Sequence, residues 1–168
     1  ISSSVTSIGE GTFSGCKSLI TIIISSSMTS IRVYSFCDCS SLTQITIPSS
    51  VNTIVKLAFS VCKSLIKIAF SSSVTSIEDC AFEKCYSLKQ ILIPSSVRSI
   101  GKNAFIYCCS LLLISIPSKV TIIKKGTFNG CSSLKQIKIP SFLSSIESRS
   151  FSDCTSLSSI TILSSVKL

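Results

Sequence analysis

Residues 39–61 read C-S-S-L-T-Q-I-T-I-P-S-S-V-N-T-I-V-K-L-A-F-S-V, and the pattern recurs with a period of 23 residues. Leucine stands at 19, 42, 65, 88, 111, 134 and 157, and phenylalanine at 13, 36, 59, 82, 105, 128 and 151. Cysteine follows at 16, 39, 62, 85, 108, 131 and 154. Isoleucine holds two further registers, 22 to 160 and 8 to 146, and no insertion breaks any of them. Coincident registers of this kind mark a repeat array, in which each unit buries its apolar face only by stacking on its neighbours.

Within one unit, L-T-Q-I-T-I alternates apolar and polar at Gln44, Ile45, Thr46 and Ile47, the period-2 signal of a strand with one buried face. Pro48, with Pro94, Pro117 and Pro140 in the same register, lacks an amide donor and ends that strand in a turn. Residues 51–54 then form a second short extended piece. A turn is expected at 55–57, where other repeats place Gly9 or Gly101, before Ala58 and Phe59 insert and Cys62 closes the coil. A coil this short has no room for a three-turn helix, so strand and turn should dominate, with single helical turns at most near the phenylalanines.

Stacking at the ~4.8 Å strand spacing makes seven coils a block roughly 34 Å long. The fold expected is a solenoid of seven stacked 23-residue coils, mostly short parallel β-strands and turns, with little or no regular helix. Residues 1–168 are expected to form a single array with partial coils at both ends. Because the chain opens on Ile1 in mid-repeat, it reads as a piece of a longer protein, and uncapped coil faces would permit end-to-end association.

Residues 88–110, L-x-x-I-x-I-P-S-S-V-x-S-I-G-x-x-A-F-x-x-C-x-S, resemble the BspA-like (Treponema pallidum type) leucine-rich repeat family, and the resemblance runs along essentially the whole chain. Ser25, Ser71 and Leu163 depart from it at the proline position, as do Arg32, Val33 and Tyr34 where a glycine-led turn is usual. The resemblance implies a leucine-rich-repeat solenoid. It also implies a role like that of surface antigens and adhesins, attaching to host proteins or to neighbouring cells. A shared fold does not by itself establish that role.

Composition narrows the function further. Although 45% of residues are hydrophobic, the most apolar run, 111–116, already contains Ser115, so no membrane span is expected. Histidine is absent, which removes the commonest general base and zinc ligand. No serine sits in an activating motif and no glycine loop fits a phosphate, so the chain is expected to be non-catalytic, without cofactor or metal. Glu78, Asp79 and Glu83 beside Lys84 read as a solvated turn.

Cysteines one coil apart lie about 5 Å from each other by strand stacking, within bridging range. Yet they share one inward orientation, are odd in number and form no C-x-x-C pair, so they read as reduced core thiols acting as small apolar residues. Cys37, Cys80 and Cys109 fall off-register, where partial exposure is expected; unpaired thiols favour a reducing compartment.

Sixteen Lys and Arg against seven Asp and Glu give a charge of +9, placed mainly on turns at Lys17, Lys63, Lys84, Lys102, Lys124 and Lys125. Weak attraction to acidic surfaces or glycans follows. Specific nucleic-acid binding does not, because the phenylalanines are core and only Tyr34, Tyr86 and Tyr107 are expected outside. The outward face of the main strand is the candidate protein-binding face: Ile23, Gln44, Thr46, Lys67, Ala69, Gln90, Leu92, Leu113, Ser115, Gln136 and Lys138, with Thr21, Ser159 and Thr161 at its margins. These positions vary while inward ones barely change. Leu92 and Leu113 are expected to form an apolar spot rimmed by Gln90, Lys67 and Lys138, against the plain alternative of tolerated surface variation. The function expected is a cell-surface or secreted adhesin-type antigen that binds proteins. The alternatives are an intracellular (cytoplasmic) interaction scaffold and a self-assembling structural array.

Overall fold

The computed structural model describes residues 1–160, so the expectations for Thr161, Ile162, Leu163 and Val166 lie outside the described residues. Two columns of short parallel strands run along the stack, and no helix occurs among the described residues. The main column holds β1 (Gln44–Thr46), β3 (Lys67–Ala69), β6 (Leu113–Ser115) and β8 (Gln136–Lys138). The second holds β2 (Thr53–Ile54), β4 (Ser76–Ile77), β5 (Ser99–Ile100), β7 (Ile122–Ile123) and β9 (Ser145–Ile146). Every pairing joins residues 23 apart, as in Ile45 with Ile68 and Ile77 with Ile100, so sequence period and ladder register are the same quantity. Regular strands occupy only four turns of the main column; Thr21, Gln90 and Ser159 join it as single bridges.

A third column runs further. Phe13, Phe36, Phe59, Phe82, Phe105, Phe128 and Phe151 stack with ring centroids 5.3–5.6 Å apart and planes within 9° of parallel. Each of the first six phenylalanine amides donates to a carbonyl of the following coil at 2.8–2.9 Å. The backbone thus locks the register that the rings occupy. The leucine, isoleucine, valine and cysteine columns fill the space between this turn and the two strand columns, and their inner members merge into one buried cluster.

Turn chemistry explains the remaining motif letters. In P-S-S-V, the valine amide closes the turn onto the proline carbonyl, as from Val51 to Pro48 at 3.1 Å. The second serine hooks the previous coil: Ser50 Oγ donates to the Met28 carbonyl and Ser96 Oγ to the Val74 carbonyl, both at 2.6 Å. The turn survives loss of proline, since Met28 and Val74 still donate to Ser25 and Ser71.

Around each phenylalanine the chain forms successive turns without a helical turn, in line with the expectation of single helical turns at most. Two residues per coil adopt left-handed backbone, at the registers of Gly11, Tyr34, Leu57, Cys80, Asn103, Gly126 and Arg149 and of Gly15, Asp38, Val61, Lys84, Tyr107, Gly130 and Asp153. Alternation of right- and left-handed residues produces successive tight turns and prevents a helix. Gly101, two positions before Asn103, is required for another reason. A Cβ on Gly101 would lie 2.4 Å from the backbone nitrogen of Asp79 in the neighbouring coil.

Glu78 and Asp79 do more than meet solvent. Glu78 Oε2 accepts from the Lys56 amide at 2.9 Å and Asp79 Oδ1 from the Lys102 amide at 2.7 Å, one carboxylate for the coil on either side. Glu147 repeats the arrangement on Lys125. Glu83 pairs with Lys84 at 3.3 Å on the surface.

Candidate protein-recognition face

The pleat of the main column turns Ile45, Ile68, Ile91, Ile114 and Ile137 inward and their neighbours outward. Of the positions assigned outward from sequence, Ile23, Gln44, Thr46, Lys67, Gln90, Leu92, Leu113, Ser115, Gln136 and Lys138 are exposed, as are Thr21 and Ser159, while Ala69 is half-buried. Ile23 is 81% and Leu92 74% exposed, far beyond what a packing role would leave. Tyr34, Tyr86 and Tyr107 also lie outside, and Cys37, Cys80 and Cys109 are half-buried.

A further outward register precedes each strand: Ile20, Thr43, Ile66, Lys89, Leu112, Lys135 and Ser158. Ile20, Ile66 and Leu112 are exposed there, beside the strand positions Ile23, Leu92 and Leu113. The sequence signal was available, since this register varies as freely as the two assigned, but period-2 alternation begins one residue later and hid it. Across all the segments 20–24, 43–47, 66–70, 89–93, 112–116, 135–139 and 158–162, the sequence places four lysines and no carboxylate.

Leu113 bridges Gln90, so Leu92 and Leu113 sit diagonally and do not form a direct cross-strand pair. Leu92 instead lines a cleft of about 370 Å³ together with Ile66, Lys67, Phe70, Lys89 and Gln90. The cleft lies where the main column is interrupted: β1 pairs with β3, β6 pairs with β8, and β3 has no partner on the side of Gln90. The second column continues past this point through β4 and β5, and Phe82 stacks on Phe105. The opening is therefore confined to the strand face. Phe70 lines it from the register of Ile47 and Ile116; it and Ile93 are half-buried where those isoleucines are buried. The Phe70 ring meets Phe82 edge-on at 6.1 Å.

The core thiols sit behind this face. The sulfurs of Cys39, Cys62, Cys85, Cys108, Cys131 and Cys154 each donate to the phenylalanine carbonyl of the preceding coil at 3.0–3.2 Å. All ten cysteines are free. No helix among the described residues is long and apolar enough to cross a membrane.

Comparison with known proteins agrees with this geometry. The BspA type leucine-rich repeat region matches residues 1–111 and 99–168 in six copies. A leucine-rich repeat protein from Bacteroides ovatus is 37% identical and superposes with a TM-score of 0.93 over 96% of this chain and 42% of its own. The leucine-rich repeat protein of T. pallidum is 30% identical, with a TM-score of 0.75 over 82% of this chain and 67% of that one. One from Eubacterium ventriosum is 32% identical, with a TM-score of 0.69 over 86% of this chain and 36% of its own. The chain thus spans about two fifths of the length of the Bacteroides ovatus protein. No curated protein sequence matches it. A 23-residue period, strand ladders in that same register and a family match along the whole length together place the chain in the BspA-type leucine-rich repeat family.

Proposed function

We propose that this chain is a non-catalytic protein-recognition module that binds through the outward face of its main strand column. One observation carries the reading. Six exposed aliphatic side chains, Ile20, Ile23, Ile66, Leu92, Leu112 and Leu113, gather on a face whose only charged side chains are lysines. Monomeric surfaces rarely group exposed apolar residues in this way unless something covers them. The inward registers already bury their own isoleucines, so packing leaves no task for the outward ones.

The setting proposed is the cell surface, as an adhesin-type antigen contacting host or neighbouring-cell proteins, in keeping with the family resemblance. The free thiols favour a second setting, an intracellular scaffold using the same face, because half-buried Cys37, Cys80 and Cys109 stay reduced most readily there. Surface biotinylation of the protein in its native cells separates the two.

The binding face is tested with Leu92→Asp and Leu113→Asp combined. Both side chains are exposed, so the double variant is expected to melt within about 0.5 kcal/mol of wild type, as surface substitutions do. It is expected to lose proteins that immobilised wild-type chain retains from native cells. Equal retention sinks the proposal, and an unfolded variant contradicts the outward placement.

A further inference from the structure

The main column breaks between coils at one place among the described residues, and the break is specific in its chemistry. The amides of Thr43, Ile66, Leu112, Lys135 and Ser158 each donate to the carbonyl 23 residues earlier, at 2.9–3.4 Å. The Lys89 amide makes no such bond to Ile66. The gap thus presents unpaired main-chain groups, the Lys89 amide and the Ile66 carbonyl among them, to whatever enters it. Its walls are the apolar side chains of Ile66, Phe70 and Leu92, and Lys67 and Lys89 stand at its rim. A volume of about 370 Å³ lies within the range of roughly 300–1,000 Å³ common for ligand clefts.

We propose that this cleft receives an extended acidic peptide segment of the partner protein, one apolar side chain entering between the coils while its main chain runs along residues 66–69 and 89–92. The proposal rests on the reading of the strand face as a recognition surface and narrows it to a site and a chemistry. Three features select the occupant. A peptide main chain offers both N–H and C=O, matching the Ile66 carbonyl and the Lys89 amide; a fatty-acid anion has no donor for the former. The lining of Ile66, Phe70 and Leu92 fits an aliphatic or aromatic side chain. Lys67 and Lys89, on a face without carboxylates and a chain of charge +9, complement acidic residues flanking that side chain. Phe70 flanks the gap in a register that isoleucine holds in the other coils, and its own coil stays paired on the side of Ile47.

The probe is a fluorescein-labelled, end-blocked pentapeptide E-D-F-D-E, with E-D-A-D-E and K-K-F-K-K as controls, titrated into the whole chain by anisotropy and by amide chemical shift. Saturable binding with shifts centred on residues 66–70 and 89–92 is expected. Affinity should fall at least tenfold for either control and for Lys67→Glu with Lys89→Glu. Phe70→Ile is expected to close the ladder, slowing hydrogen exchange of the Lys89 amide at least tenfold, toward that of Leu112, and removing the peptide site. Each variant is checked for an unchanged melting curve. Peptide shifts centred on Leu112, Leu113 and Lys138, or indifference to the lysine reversals, overturn the cleft and leave the face standing. Laurate binding in place of the peptide overturns the occupant. If Leu92→Asp with Leu113→Asp leaves native partners bound, the face itself fails, whatever the pentapeptide does.

Discussion

A cysteine sulfur donating to a phenylalanine carbonyl one coil back explains why that register is not simply alanine or valine. Each such carbonyl also accepts the amide of its own coil's cysteine, as from Cys62 to Phe59 at 3.3 Å, so the thiol supplies a second donor to a buried acceptor. Burial pushes the thiols of Cys39 and Cys154 up to about 11 and raises those of Cys62, Cys85, Cys108 and Cys131 as well. An unfolded thiol ionises near ~8.5, so above that pH the unfolded chain releases protons that the folded one holds. The thiol contribution to stability is therefore complete below about 8.5 and is lost as pH rises through about 11. Urea midpoints measured from pH 7 to 11 are expected to be flat at first and then to fall; a rising profile contradicts the buried thiol column. Phe82 stacks on Phe59 and Phe105 and meets Phe70. Phe82→Ala should cost about 3–5 kcal/mol by equilibrium unfolding, and a near-neutral shift would mean the ring column does not exist in solution.

At the scale of the turn, the two left-handed registers hold glycine at four of fourteen places, Gly11, Gly15, Gly126 and Gly130. The others carry side chains that pay for the conformation, Val61 most of all, since a β-branched residue at φ 63° is strained. Val61→Gly removes a penalty of roughly 1–2 kcal/mol and adds about 0.5–1 kcal/mol of unfolded-chain entropy. A modest net rise in melting temperature is the expected result, and a clear fall would show that Val61 packing outweighs the strain. The sequence carried a hint of these turns in the recurrence of glycine at 11 and 126 and at 15 and 130. Gly9 and Gly101 are the more visible repeat, yet neither marks a left-handed turn, and Gly101 answers close approach between coils.

For the whole molecule, stacking makes each coil depend on its neighbours, and charge is carried mainly on the rims and the strand face. With +9 net charge and a strand face free of carboxylates, attraction to anionic surfaces should be real, non-specific and screened. Retention on heparin at low salt, released steeply as ionic strength approaches ~1 M, is the expected behaviour; retention that persists at high salt would indicate a specific glycan site.

The 23-residue period by itself determined the stack, the inward columns, the parallel register and the outward face, because one side chain recurring once per coil has a single way to be buried at every level. Tertiary structure alone decided where the ladder fails. Phe70 in an isoleucine register reads as a conservative apolar change in sequence. Whether two coils close around it depends on the space left by Phe82 and Ile93, which no local pattern encodes. The same holds for Glu78 and Asp79: they read as a solvated turn because their partners, the amides of Lys56 and Lys102, belong to the coils on either side.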